Sequence, residues 1–136
     1  MQSYFYRKLG AFPSWFFTIP VVIAILWLTL VPNPVPEIDV TFWEHTDKIV
    51  HAIMFGTLYF VVSIDWYRKR QKDIPRLWSS VSTTIFAWTA LFGAIIELVQ
   101  PYVGRSNDIY DFLADLAGII IAGLVTPQII ILCRGH

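Results

Sequence analysis

Stretches without charge partition this chain before any other feature does. Leu9 to Pro36, Leu77 to Ile96 and Leu116 to Cys133 contain no Asp, Glu, Lys or Arg, and Ile49 to Ile64 is interrupted only by His51. Each is near or above the ~20 apolar residues that cross a hydrocarbon core of about 30 Å. The pattern predicts an all-α membrane protein: four transmembrane helices at about 15–31, 47–66, 79–100 and 109–133, forming one antiparallel bundle in a single domain over 1–136. Local signals place the ends. Pro13 with Ser14 suits a helix start, and Pro32, Pro34 and Pro36 close the first span. Thr41 and Glu44 have capping-box spacing, Pro101 stops the third span, and Pro127 is a candidate kink in the fourth. A secretory signal is not expected, because the first run is long for one and no small-x-small cleavage site follows it.

Composition agrees with the pattern. Of 136 residues, 56% are hydrophobic and 15% charged, where a soluble domain has about 25% charged. That excludes soluble enzymes, and the lone Cys133 excludes a disulfide framework. A net charge of zero gives no reason to expect a nucleic-acid partner. Charge is nevertheless unevenly placed. Arg7, Lys8, Arg68, Lys69, Arg70, Lys72, Arg76 and Arg134, eight of ten basic residues, fall at the termini and in the second loop. The positive-inside rule makes that side cytoplasmic, in a bacterial inner membrane crossed several times. The basic stretch Arg68 to Arg76 reads as a topology determinant touching anionic lipid. Trp43, Tyr102 and Tyr110 on the outer side, and Trp66, Tyr67 and Trp78 on the inner, suit aromatic belts.

The acidic residues collect on the opposite side. Lys48 and His51 follow Asp47 by one and four positions, so the three share roughly one helix face. Ala90, Gly93, Glu97 and Gln100 form a stripe with steps of 3, 4 and 3, and Asp108, Asp111, Asp115 and Gly118 repeat those steps. Arg105 lies in the loop between the two stripes. Asp115 sits seven residues inside Asp108, about 10 Å deeper at 1.5 Å per residue. At that depth a lone Asp facing lipid costs about 2.5 kcal/mol or more, so it must face the bundle and meet a partner. Five acids here oppose two bases. Protons retained on carboxylates, a charged His51, a metal ion or a cationic ligand must make up the difference. Ala114, Gly118 and Ala122 recur every four residues and favour close helix packing.

The run Asp47-Lys48-x-x-His51-x-x-x-Phe55, then Glu97-x-x-Gln100, Arg105, Asp111 and Gly118, resembles the VanZ-like family of small bacterial membrane proteins. The resemblance covers about Trp43 to Gly123, with Asp115 standing where the family usually has Asn. It implies a role at the cell envelope, since the founding member is associated with low-level resistance to the glycopeptide teicoplanin. It points to Asp47, Lys48, His51, Glu97, Gln100, Arg105, Asp111 and Asp115 as functional positions, and periodicity adds Asp108.

Each of these residues has two readings. Asp47, Lys48 and His51 suit either a favourable helix N-terminus or an acid–base group. Glu97 is either functional or a structural partner of Arg105. Arg105 suits a phosphate, as in a lipid-linked precursor. The acidic surroundings argue against a site built mainly for anions; a divalent metal as cofactor, held by carboxylates and His51 with a phosphate as remaining ligand, reconciles the two, and His45-x-Asp47-x-x-x-His51 has suitable ligand types but no established metal spacing. Three functions follow: an envelope protein binding a lipid-linked precursor or antibiotic, an intramembrane enzyme using His51 and a carboxylate, and a small proton-coupled transporter. The transporter lacks an ionisable relay on the inner side of spans three and four. Besides the bilayer, a second copy of the chain is a candidate partner, because a bundle this small can complete its pocket by oligomerising.

Overall fold

The computed structural model describes residues 12–32, 46–70, 76 and 78–134, which contain no strand. Among the described residues there are four α-helices: α1 (Thr18–Leu30), α2 (Thr46–Arg70), α3 (Ser80–Val99) and α4 (Ile109–Arg134), with a 3-10 turn at Gln100–Val103 between the last two. Three segments, Thr46–Arg70, Ser80–Val103 and Ile109–Cys133, are long and apolar enough to cross a membrane. Their outward faces, including Ile53, Trp88, Leu98, Ile121 and Leu132, are exposed, as a lipid-facing surface requires.

The first element departs from expectation. Instead of starting at Pro13–Ser14, the chain makes a turn over 14–17, with Trp15 at a φ of 67°, before α1 begins. At 13 residues, α1 is about 20 Å long, shorter than a full span. The second helix runs past the expected end at 66 to include Arg68, Lys69 and Arg70 in its last turn, where cations suit the helix dipole. Ser79 caps α3 by accepting the Ser82 N–H at 3.2 Å. Pro101 sits in the 3-10 turn that ends α3, whereas α4 continues through Pro127. Arg7, Lys8, the Thr41–Glu44 box, Trp43, His45 and Lys72 lie outside the described residues.

The core is built on α2. Phe55, Leu58 and Tyr59 pack with Ile25 of α1, Ile85 and Ile96 of α3, and Ile119 of α4. The α2–α4 pair is the closest, and Gly118 is the reason: a Cβ there would collide with the Ala52 backbone carbonyl, and one on Gly56 would lie 3.0 Å from the Gly118 oxygen. The small-residue repeat on α4 therefore serves packing, as expected. Tyr59 and Ser82 join their hydroxyls at 2.6 Å inside this core. Trp78, Tyr102 and Tyr110 are exposed as interface residues should be, but Tyr67 is buried. It follows Tyr59 and Ser63 at intervals of four, on the face α2 turns inward.

Candidate functional site

The N-terminal ends of α2 and α4 meet at one end of the bundle, and the end of α3 joins them through its short loop. Lys48, one turn before His51 on α2, reaches across to α4. Its ammonium donates to Asp108 Oδ2 at 3.0 Å and to Asp111 Oδ1 at 3.1 Å. It also stands 6.0 Å from the centre of the Tyr110 ring. Asp111 is buried, and Asp108 lies in the loop before α4. The Tyr110 backbone N–H, then the Lys48 ammonium, hold the Asp108 carboxyl below the usual carboxylate range. Lys48 thus joins two helices through charge-assisted bonds.

One turn deeper the site is dry. His51 Nδ1 lies 3.0 Å from Asp115 Oδ1, with the Asp115 side chain 1% exposed. The periodicity placed Asp115 towards the interior with a partner, and that partner is His51. Gly93 on α3 makes room for the carboxylate: a Cβ there would lie 3.0 Å from Asp115 Oδ2 and 3.1 Å from Phe55 Cε1. Glu97, 5% exposed, brings a carboxyl oxygen close enough that His51, Glu97 and Asp115 offer donor atoms all within 4.8 Å of one another. Neither Glu97 oxygen has a hydrogen-bond partner, nor does Gln100 Oε1. The Asp108 backbone N–H faces Glu97 without closing to hydrogen-bond geometry. Buried acceptors without donors are uncommon and costly.

The stripes read from the sequence converge here: Gly93, Glu97 and Gln100 with Asp111, Asp115 and Gly118 are all buried. Two candidate residues outside the stripes behave differently. Asp47 is exposed at the rim, although its carboxylate can join His51 and Asp111 in a second donor group of the same span. Arg105 does not pair with Glu97. It donates to the Val31 carbonyl at 3.4 Å, tying the α3–α4 loop to the end of α1, and among the described residues it meets no carboxylate. On the same helix pair an apolar groove of about 450 Å³ runs along α2 and α4, lined by Ile49, Ala52, Ile53, Gly56, Ile121 and Val125 among others. One lining residue, Ala52, follows His51 in sequence.

The opposite end of the bundle holds a group that the spacing argument missed. Asp65 Oδ2 accepts from the Phe17 N–H at 3.1 Å and from the Thr18 N–H and hydroxyl, each at 2.9 Å, while Oδ1 accepts from Arg68 at 2.6 Å. Arg68 also donates to the Phe12 carbonyl and faces the Phe12 and Phe17 rings. It is therefore a buried residue within the fold, in contrast to its expected place among exposed topology-setting cations. This end of the bundle does contain ionisable groups, supplied by α2. The available signal was an acid and a base three apart at the end of an apolar run.

The family model described as VanZ/LLP1 matches residues 14–132, nearly the whole chain. No curated protein and no solved structure matches it.

Proposed function

From the premise that this chain belongs to the VanZ/LLP1 family of membrane proteins, we propose that it binds an amphipathic envelope ligand at the Lys48–His51–Glu97 end of the bundle. The observation that carries this reading is one juxtaposition. A buried polar cluster, in which the Glu97 oxygens and Gln100 Oε1 accept no hydrogen bond, and an apolar groove are carried by the same α2–α4 pair. A head group with hydrogen-bond donors or positive charge suits the first, and a hydrocarbon chain suits the second. Lipid-linked wall precursors and glycopeptide-type antibiotics both have this character. The charge distribution supports cytoplasmic termini and a four-helix antiparallel arrangement in a bacterial inner membrane, with the cluster opening to the outer leaflet. Asp47, Lys48, His51, Glu97, Gln100, Arg105, Asp108, Asp111 and Asp115 are the residues assigned to this site.

The test uses the full chain in lipid nanodiscs with a polyprenyl-diphosphate disaccharide-peptide and with teicoplanin as probes. Saturable binding of either, lost in Glu97→Gln, Asp111→Asn and His51→Ala while expression and folding persist, supports the reading. Equal binding by those variants refutes it. A second reading rests on the 3.0 Å contact between His51 and Asp115, an arrangement that orients an imidazole for proton transfer. Turnover of the lipid-linked probe by wild type but not by His51→Ala would make the site catalytic.

A further inference from the structure

We propose that His51, Glu97 and Asp115 bind a divalent transition-metal ion. The three come from three helices, are all buried, and present one donor atom each within a 4.8 Å span. Donors held at about 2.0–2.2 Å from a shared ion lie no more than about 4.4 Å apart. His51 and Asp115 already satisfy that at 3.0 Å. Glu97 offers the third donor within the 4.8 Å span, a little beyond that limit.

The second observation is independent of the clustering. Both Glu97 oxygens are buried and complete no hydrogen bond, although the Asp108 backbone N–H faces them, and the missing side chain at Gly93 leaves the space that the Asp115 carboxylate occupies. Charge points the same way. Two carboxylates and a neutral imidazole sum to minus two, which one divalent ion cancels in a region where uncompensated charge is costly. The chain's own cations do not fill this role. Lys48 is engaged by Asp108 and Asp111, Arg105 by the Val31 carbonyl, and among the described residues no Lys or Arg forms an ion pair with Glu97 or Asp115. One imidazole and two carboxylates suit zinc or manganese rather than a soft thiolate-seeking ion. Three protein ligands leave a coordination position open. An acidic pocket can thereby accept the phosphate of an envelope lipid. Asp47, His51 and Asp111 form a competing donor group, but Asp47 is exposed and Asp111 is bound to Lys48.

The role given to the ion rests on the ligand-binding reading above, whereas its presence is tested separately. The full-length protein in nanodiscs is stripped with EDTA and titrated calorimetrically with Zn²⁺ and with Mn²⁺, and Co²⁺ is added to read ligand-field absorption. The expected result is one ion per chain, with affinity falling at least tenfold in Glu97→Gln and in Asp115→Asn and changing less than twofold in Asp47→Asn. Circular dichroism of the stripped variants confirms that loss of the ion is not loss of fold. No stoichiometric ion on the wild type, or unchanged affinity in both carboxylate variants, overturns the proposal, as does selective loss in Asp47→Asn. If the stripped protein holds the polyprenyl-diphosphate probe as tightly as the loaded one, the role assigned to the ion fails while the pocket stands. If the ion binds and neither probe does, the metal site stands and the ligand-binding reading fails.

Discussion

Replacing Asp65 separates what its carboxylate does for α1 from what it does for Arg68. One oxygen terminates α1 by accepting three donors from Phe17 and Thr18, and the other meets the Arg68 guanidinium, the two side chains being 1% and 6% exposed. Asp65→Asn keeps an acceptor for α1 and removes the charge. Breaking a buried pair from one side costs about 3–5 kcal/mol. Arg68 keeps the Phe12 carbonyl and two ring faces, so the lower part of that range, about 3 kcal/mol, is expected. Asp65→Ala also strands the three α1 donors, each worth about 1–3 kcal/mol when left unsatisfied, and should exceed Asp65→Asn by at least about 2 kcal/mol. Asp65→Asn combined with Arg68→Met removes both charges and should recover at least half of the Asp65→Asn loss. Reversible unfolding in mixed detergent micelles, followed by tryptophan fluorescence, measures the three variants against wild type. If Asp65→Asn lies within about 1 kcal/mol of wild type, the pair is not desolvated as described. If Asp65→Ala equals Asp65→Asn, the carboxylate does not hold α1.

Gly118→Ala drives a methyl into the Ala52 carbonyl and should cost about 1–3 kcal/mol or more by parting α2 from α4, read in the same unfolding assay; an unchanged midpoint would place those helices further apart. Tyr59→Phe removes the 2.6 Å hydroxyl contact with Ser82 and should cost about 1 kcal/mol, with Ser82→Ala added to it costing little more. Asp108 titrates below the ordinary carboxylate range, first because of the Tyr110 N–H and then Lys48. Its favourable contribution is therefore complete above that range and disappears as pH falls through the lowered folded value. Carbon-13 NMR of the Asp108 carboxyl should show the midpoint rising in Lys48→Met, and no change would assign the effect to the backbone amide alone.

The three long apolar helices and the inward stripes were legible because both depend on local properties. A run without charge has to be long enough for the bilayer, and a helix repeats its face every 3.6 residues. Hence Glu97, Gln100, Asp111, Asp115 and Gly118 could be placed on inward faces from their spacing, and Ser79, Pro101 and the start of α4 marked real boundaries. Partner choice was not legible in the same way. Arg105 sits between two acidic stripes in the chain yet ends on a carbonyl of α1. Asp65 and Arg68 looked like the edge of a basic loop until α1 arrived to be capped. These outcomes depend on how helices dock across 47 or more residues of sequence. Composition and periodicity tell which face each helix turns inward; the depth at which His51, Glu97 and Asp115 converge comes from close packing, which no single helix encodes.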